Sequence, residues 1–171
     1  IGAIEEDMEA AFEDYAVRRA FTAQIVIDHV KDRDEVSIDN VKEGLYNVEV
    51  EMSDEGMWGN RVKSLTVIHA EYKGFLFFNE SARFEVGVDS GQAGIYDEDY
   101  YNQYHTENDC DDEWYSDICD LTCPAWTKDG KCVVSSSGYG DGGYTCYMLV
   151  DDDNQVVAIS VVFIEDEEEE E

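Results

Sequence analysis

The sequence is poor in several things at once. It has one proline, no CxxC pair, and no apolar run longer than a few residues. A single proline excludes collagen-like or proline-rich linker character. The longest apolar runs, 156–159, 161–164 and 75–78, fall far short of the ~18 residues a membrane-spanning helix needs. Basic residues are scarcest of all: 11 Lys and Arg stand against 42 Asp and Glu in 171 residues, a formal net charge of −31. None lies between Arg83 and Lys128, and none follows Lys131. Without a basic patch, direct binding to a nucleic-acid backbone or an anionic membrane surface is disfavoured.

What is present argues for a folded chain. Hydrophobic residues make up 43% and aromatic residues 12%, more than a disordered acidic chain carries. The length suits one domain with a real core. The charge is uneven: residues 1–83 hold 9 basic and 18 acidic residues, a net −9, and residues 84–171 hold 2 and 24, a net −22. Acidic Glu5, Glu6 and Asp7 stand where a signal peptide would be basic, so the cytoplasm is the expected compartment.

Periodicity predicts mostly strands. Tyr46, Val48, Val50 and Met52 alternate with Asn47, Glu49 and Glu51 over 45–52, the pattern of a half-buried strand. Strands are also expected over 22–30, 61–72, 74–78, 82–89, 131–136, 143–150 and 155–164, separated by Asp-, Asn- and Gly-rich turns. Residues 3–20 read as an amphipathic helix, with Ile4, Met8, Phe12 and Tyr15 at helical spacing, acids first and Arg18 and Arg19 last. Short helices are expected over 98–104 and 112–119. The fold class is therefore α+β: a β-rich single domain over 1–164, an antiparallel sheet or sandwich with a packed N-terminal helix. Residues 165–171 read as a solvated acidic tail.

The candidate chemistry is thin. Five cysteines, Cys110, Cys119, Cys123, Cys132 and Cys146, form an odd set that fits reduced thiols; a zinc site using His105 lacks the usual close pairs. No EF-hand spacing occurs around Asp151, Asp152 and Asp153. The glycine-rich segment 138–143 has no lysine and leads into a strand, unlike a phosphate loop. Ser90 sits in no nucleophile elbow, and His29, His69 and His105 are far apart. No catalytic residue, cofactor or defined metal site is expected, and the chain reads as a non-enzyme.

Two glycine-rich segments stand out: 88–97, containing Asp89-Ser90-Gly91-Gln92-Ala93-Gly94, and 135–144, containing Ser135-Ser136-Ser137-Gly138-Tyr139-Gly140-Asp141-Gly142-Gly143-Tyr144. Asp89, Gln92, Gly94, Tyr139, Asp141 and Tyr144 are expected to tie two tight turns together. With the intervening Glu113-Trp114-Tyr115-Ser116-Asp117, these segments resemble an uncharacterised family of small bacterial and phage proteins across about 58–164. That resemblance implies no activity.

A net charge of −31 exceeds the magnitude of ~2–8 that solubility asks of a small domain. A saline habitat or a basic partner would explain the excess. The densest acidic and aromatic stretch offers Asp97, Glu98, Asp99, Tyr100, Tyr101, Tyr104, Asp109, Asp111, Asp112, Glu113, Trp114 and Tyr115 as a partner-binding surface. The expected function is an acidic, phage-encoded inhibitor that mimics nucleic-acid charge. Its partner would be a basic host protein surface, such as that of a nucleic-acid-binding protein. A virion-associated accessory protein and a calcium-binding or metal-dependent module are the alternatives.

Overall fold

Alternation in the sequence becomes a two-sheet architecture in the computed structural model, which describes residues 17–21, 25–28, 36–76, 78, 82–88, 91–104, 116–117, 125–128 and 130–166. Eleven strands are described. They are β1 (Val17–Phe21), β2 (Ile25–Asp28), β3 (Val36–Ile38), β4 (Gly44–Asp54), β5 (Asn60–His69) and β6 (Arg83–Val88), then β7 (Gln92–Asp97), β8 (Ala125–Lys128), β9 (Cys132–Ser136), β10 (Gly142–Val150) and β11 (Val156–Val162). A helix, α1 (Glu98–Tyr104), follows β7 directly, and residues 116–117 are also helical.

The first sheet has the order β1-β4-β5-β11-β10-β6 and the second β3-β2-β7-β9-β8. Every strand pairing in both is antiparallel. One residue of each alternating pair points inward. Tyr46 and Val48 on β4, Leu65 and Val67 on β5, Ile159 and Val161 on β11, and Val86 and Val88 on β6 form one cluster with Ala93 and Ile95 of β7 and Val133 of β9. That shared core joins the two sheets into a sandwich. Each fully buried aliphatic side chain in it stabilises the fold by about 1.5–3 kcal/mol.

The outward faces differ. On the first sheet, Thr66 and Ser160 lie directly across from each other and their hydroxyls share a hydrogen bond at 2.7 Å. On the second, Tyr96 is fully buried, its ring 5.2 Å from that of Tyr101 on α1. Gly94 makes room for it: a β-carbon there would stand 2.6 Å from the Tyr96 ring.

The sandwich departs from the sequence reading at several places. Residues 17–20, the end of the expected 3–20 helix, belong to strand β1, where Val17 pairs with Val48 and Ala20 with Leu45. Pairing to a long neighbouring strand outweighs local helical spacing there; residues 3–16 lie outside the described residues. The expected strand 74–78 is absent from its described residues, and Phe75 is 94% exposed. Besides β1, three strands were not anticipated: β3, β7 and β8. Gln92 and Gly94, expected in a tight turn, sit on β7 in the interior of the second sheet. The helix expected over 98–104 is α1. Among the described residues no helix is long and apolar enough to cross a membrane.

Candidate functional site

The long β4–β5 hairpin organises both ends of the first sheet. At its open end, Tyr46 on β4 pairs with His69, the last residue of β5, and Gly44, which begins β4, lies against the imidazole. His69 is buried, and both its ring nitrogens meet backbone groups. The Glu71 N–H donates to Nδ1 at 3.1 Å, and Nε2 lies 2.8 Å from the Glu43 carbonyl. An Nδ1 that accepts leaves the proton on Nε2, which therefore donates to Glu43. The ring also meets the Tyr46 ring edge-on, with centroids 5.1 Å apart. Tyr46 is itself enclosed; its hydroxyl donates to the Lys42 carbonyl at 2.5 Å, and burial, aided by the Asp151 carboxylate, pushes its phenol well above the ordinary range. His69 is a structural pin in this arrangement, since a metal ion could take either nitrogen only by displacing a backbone bond.

At the turn end, Gly56–Trp58 forms a single 3-10 turn. The Gly56 N–H donates to Asp54 Oδ1 at 2.9 Å, which fixes the entry to that turn. Arg61 then reaches in two directions. Its Nε donates to the Trp58 carbonyl at 3.0 Å and its Nη1 to the Gly138 carbonyl at 3.3 Å, while Cζ lies 5.3 Å from the centre of the Tyr139 ring. One guanidinium thus clamps the β4–β5 turn to the β9–β10 turn. Desolvation, then the nearby Glu55 carboxylate, raises the Tyr139 phenol above its ordinary value, with Arg61 acting the other way.

The β9–β10 turn is tied inward as well. Asp141 Oδ1 accepts from the Gly91 N–H at 2.8 Å, joining the two glycine-rich segments. The Tyr144 hydroxyl donates to the carbonyls of Ser137 and Gly140, at 2.9 and 2.5 Å, and its ring packs edge-on against Phe163. Gly138 and Gly140 have φ of 59° and 114°, in the region that favours glycine. Asp89 lies outside the described residues.

Of the expected partner-binding stretch, the described residues are not all exposed. Asp97, Tyr100 and Tyr101 are buried at 1, 7 and 1% exposure. Asp97 caps α1, its Oδ1 accepting from the Tyr100 N–H at 3.1 Å. Glu98 accepts from the Ser37 hydroxyl at 2.6 Å, and Asp99 is exposed. Tyr104 ends α1. Asp109, Asp111, Asp112, Glu113, Trp114 and Tyr115 lie outside the described residues. Short amphipathic helices turn their aromatic side inward to the core, which is why Tyr100 and Tyr101 are not available as exposed anchors. The Arg61 clamp was not anticipated; its partners lie on separate turns, and no local pattern announces them.

Among the described residues no group of three or more His, Cys, Asp or Glu side chains is placed to hold a metal ion. Cys146 is buried, and burial pushes its thiol far above the ordinary range. It is not poised as a nucleophile.

Comparison with known proteins adds one pointer. Residues 1–76 match the model of a family described as cobalt chelatase (CbiK). No curated protein and no solved structure matches. The matched stretch contains the strands β1 to β5, with both ends of the β4–β5 hairpin.

This match corrects the sequence reading on three points. The family it names is a chelatase, not an uncharacterised group of bacterial and phage proteins. It is a family of enzymes, which counts against a non-enzyme. The reading as a phage-encoded, DNA-mimicking inhibitor falls with it. The β-rich architecture stands. Glycine turns and net charge recur on unrelated folds, so neither could identify a family.

Proposed function

We propose that this protein acts on a divalent transition-metal ion as its substrate, with cobalt(II) the first candidate, in a chelatase-type reaction that transfers the ion to an organic chelating ligand. The match of residues 1–76 to the cobalt chelatase family carries this reading. Two features support it. A net charge of −31 raises the local concentration of divalent cations. Carboxylate oxygens and imidazole nitrogens are donors that cobalt(II) accepts.

Within the matched segment the histidines are His29 and His69. His69 has both nitrogens engaged by the backbone. The reading therefore assigns the imidazole donor to His29, which follows Asp28 and precedes Asp32, Asp34 and Glu35 in sequence. A cytoplasmic setting accompanies it, where a thiol such as Cys146 stays reduced.

Titration of the full chain with cobalt(II), followed by ligand-field absorption and by heat, tests the proposal. Saturable binding at one site is expected, reversed by EDTA and lost in His29→Ala. No saturable uptake, or uptake equal in the wild type and His29→Ala, would overturn it.

A further inference from the structure

Met57, Trp58 and Tyr139 stand out among the exposed side chains, at 99, 67 and 54% exposure. Met57 and Trp58 are on the β4–β5 turn and Tyr139 is on the β9–β10 turn. Arg61 fastens the two turns together through the Trp58 and Gly138 carbonyls and the Tyr139 ring. Isolated exposed apolar residues are ordinary. Here three large ones share one end of the sandwich and are held on a braced frame.

We infer that the surface formed by the β4–β5 and β9–β10 turns is a docking site for a lysine- and arginine-rich peptide segment of a partner protein. The composition of the surface supports binding. Trp, Tyr and Arg are the residues over-represented at interface hot spots, and a frame braced before binding loses little freedom when a partner arrives.

Charge selects the occupant. A second copy of this chain would bring another −31 and be repelled. Nucleic acid and anionic membrane are disfavoured for the same reason. A basic segment meets the opposite situation. Asp54 and Asp141 are exposed on the same two turns and Glu55 is half-buried beside them. The exposed indole of Trp58 offers a face to an ammonium or guanidinium group. The charge of Arg61 is already turned toward the Tyr139 ring and two carbonyls. This surface is independent of the proposed metal chemistry and uses none of its residues.

Fluorescence anisotropy with a short fluorescein-labelled Lys/Arg peptide, titrated with the full chain, tests the inference. An Asp/Glu peptide of the same length serves as the comparison. Saturable binding of the basic peptide is expected, weakening as salt rises. Trp58→Ala and Tyr139→Ala should each reduce affinity by about tenfold or more. Glu71→Gln, a charge change beyond the other end of β5, should leave it unchanged. Trp58→Ala keeps the Arg61 clamp, because the clamp uses the Trp58 main-chain carbonyl; circular dichroism checks that the fold is intact. Failure of the basic peptide to bind would overturn the inference. So would equal binding of the two peptides, or binding that ignores Trp58 and Tyr139 and follows net charge alone.

Discussion

Gly44 faces His69 so closely that a β-carbon on it would stand 2.6 Å from the imidazole Nε2. The same nitrogen donates to the Glu43 carbonyl, so it has no room to yield without losing a buried bond. Gly44 also has a φ of 137°, which side-chain-bearing residues rarely adopt. Gly44→Ala is expected to destabilise the protein by about 1–3 kcal/mol, through steric conflict and strain together. Denaturant unfolding of the variant against the wild type measures this. Equal midpoints would show that His69 moves aside freely.

Asp141 accepts from the Gly91 N–H, beside the bond from the Ser137 N–H to the Gly91 carbonyl that also joins the two glycine-rich segments. Asp141→Ala should cost about 1–2 kcal/mol. Its characteristic effect should be local: the Gly91 amide is expected to exchange with solvent faster, which hydrogen-exchange NMR reads directly. Asp141→Asn retains an acceptor oxygen and should recover most of the protection.

Gly94 is buried under the Tyr96 ring, and a methyl group there would lie 2.6 Å from ring atoms. Gly94→Ala is expected to push Tyr96 away from Tyr101 and cost about 1–3 kcal/mol. A Gly94→Ala, Tyr96→Leu double variant should be less destabilised than the two single effects added together. Strict additivity in thermal or urea unfolding would refute the contact.

Stability is expected to fall in alkali. Burial raises the Cys146 thiol and, with Asp151, the Tyr46 phenol above their ordinary values of 9.0 and 10.0. Both groups stay neutral in the folded protein and ionise more readily once unfolded. Their contribution is therefore complete below about pH 9 and is lost as the pH climbs past the ordinary thiol and phenol ranges. Melting temperatures measured from pH 7 to pH 10.5 should decline at the alkaline end, and Cys146→Ala should flatten the early part of that decline.

Much of the sandwich is legible in the sequence, for a physical reason. Tyr46, Val48, Val50 and Met52 alternate because one face of β4 meets the core, and half-burial stamps a period of two on any such strand. The same holds for Val86 and Val88 on β6. β7 is different. Ala93, Gly94, Ile95, Tyr96 and Asp97 are all buried because both faces of that strand are covered, so no alternation exists to be read, and Gly94 with the preceding Gly91 suggested a turn. β1 was hidden for another reason: its partner β4 supplies the pairing, and that information lies outside its own residues. Among the candidate site residues, Asp141 was recognisable as a turn acid. Asp97, Tyr100 and Tyr101 looked like surface binders because sequence alone does not say which side of a short helix faces the core. The role of Arg61 depends on a neighbour 77 positions away, beyond the reach of local pattern.

The strand order of the first sheet has a bearing on how the chain is made. β5 and β6 are separated in space by the β10–β11 hairpin, which is synthesised after both. On the ribosome, β5 must wait with an open edge until Val156–Val162 has emerged, and β6 until Gly142–Val150 has. A chain stalled or cut before Gly142 would expose two unpaired edges beside a half-built core, the kind of species that sticks to its neighbours and engages chaperones. Production of this protein should therefore be more sensitive to losing its last two strands than their share of the length suggests.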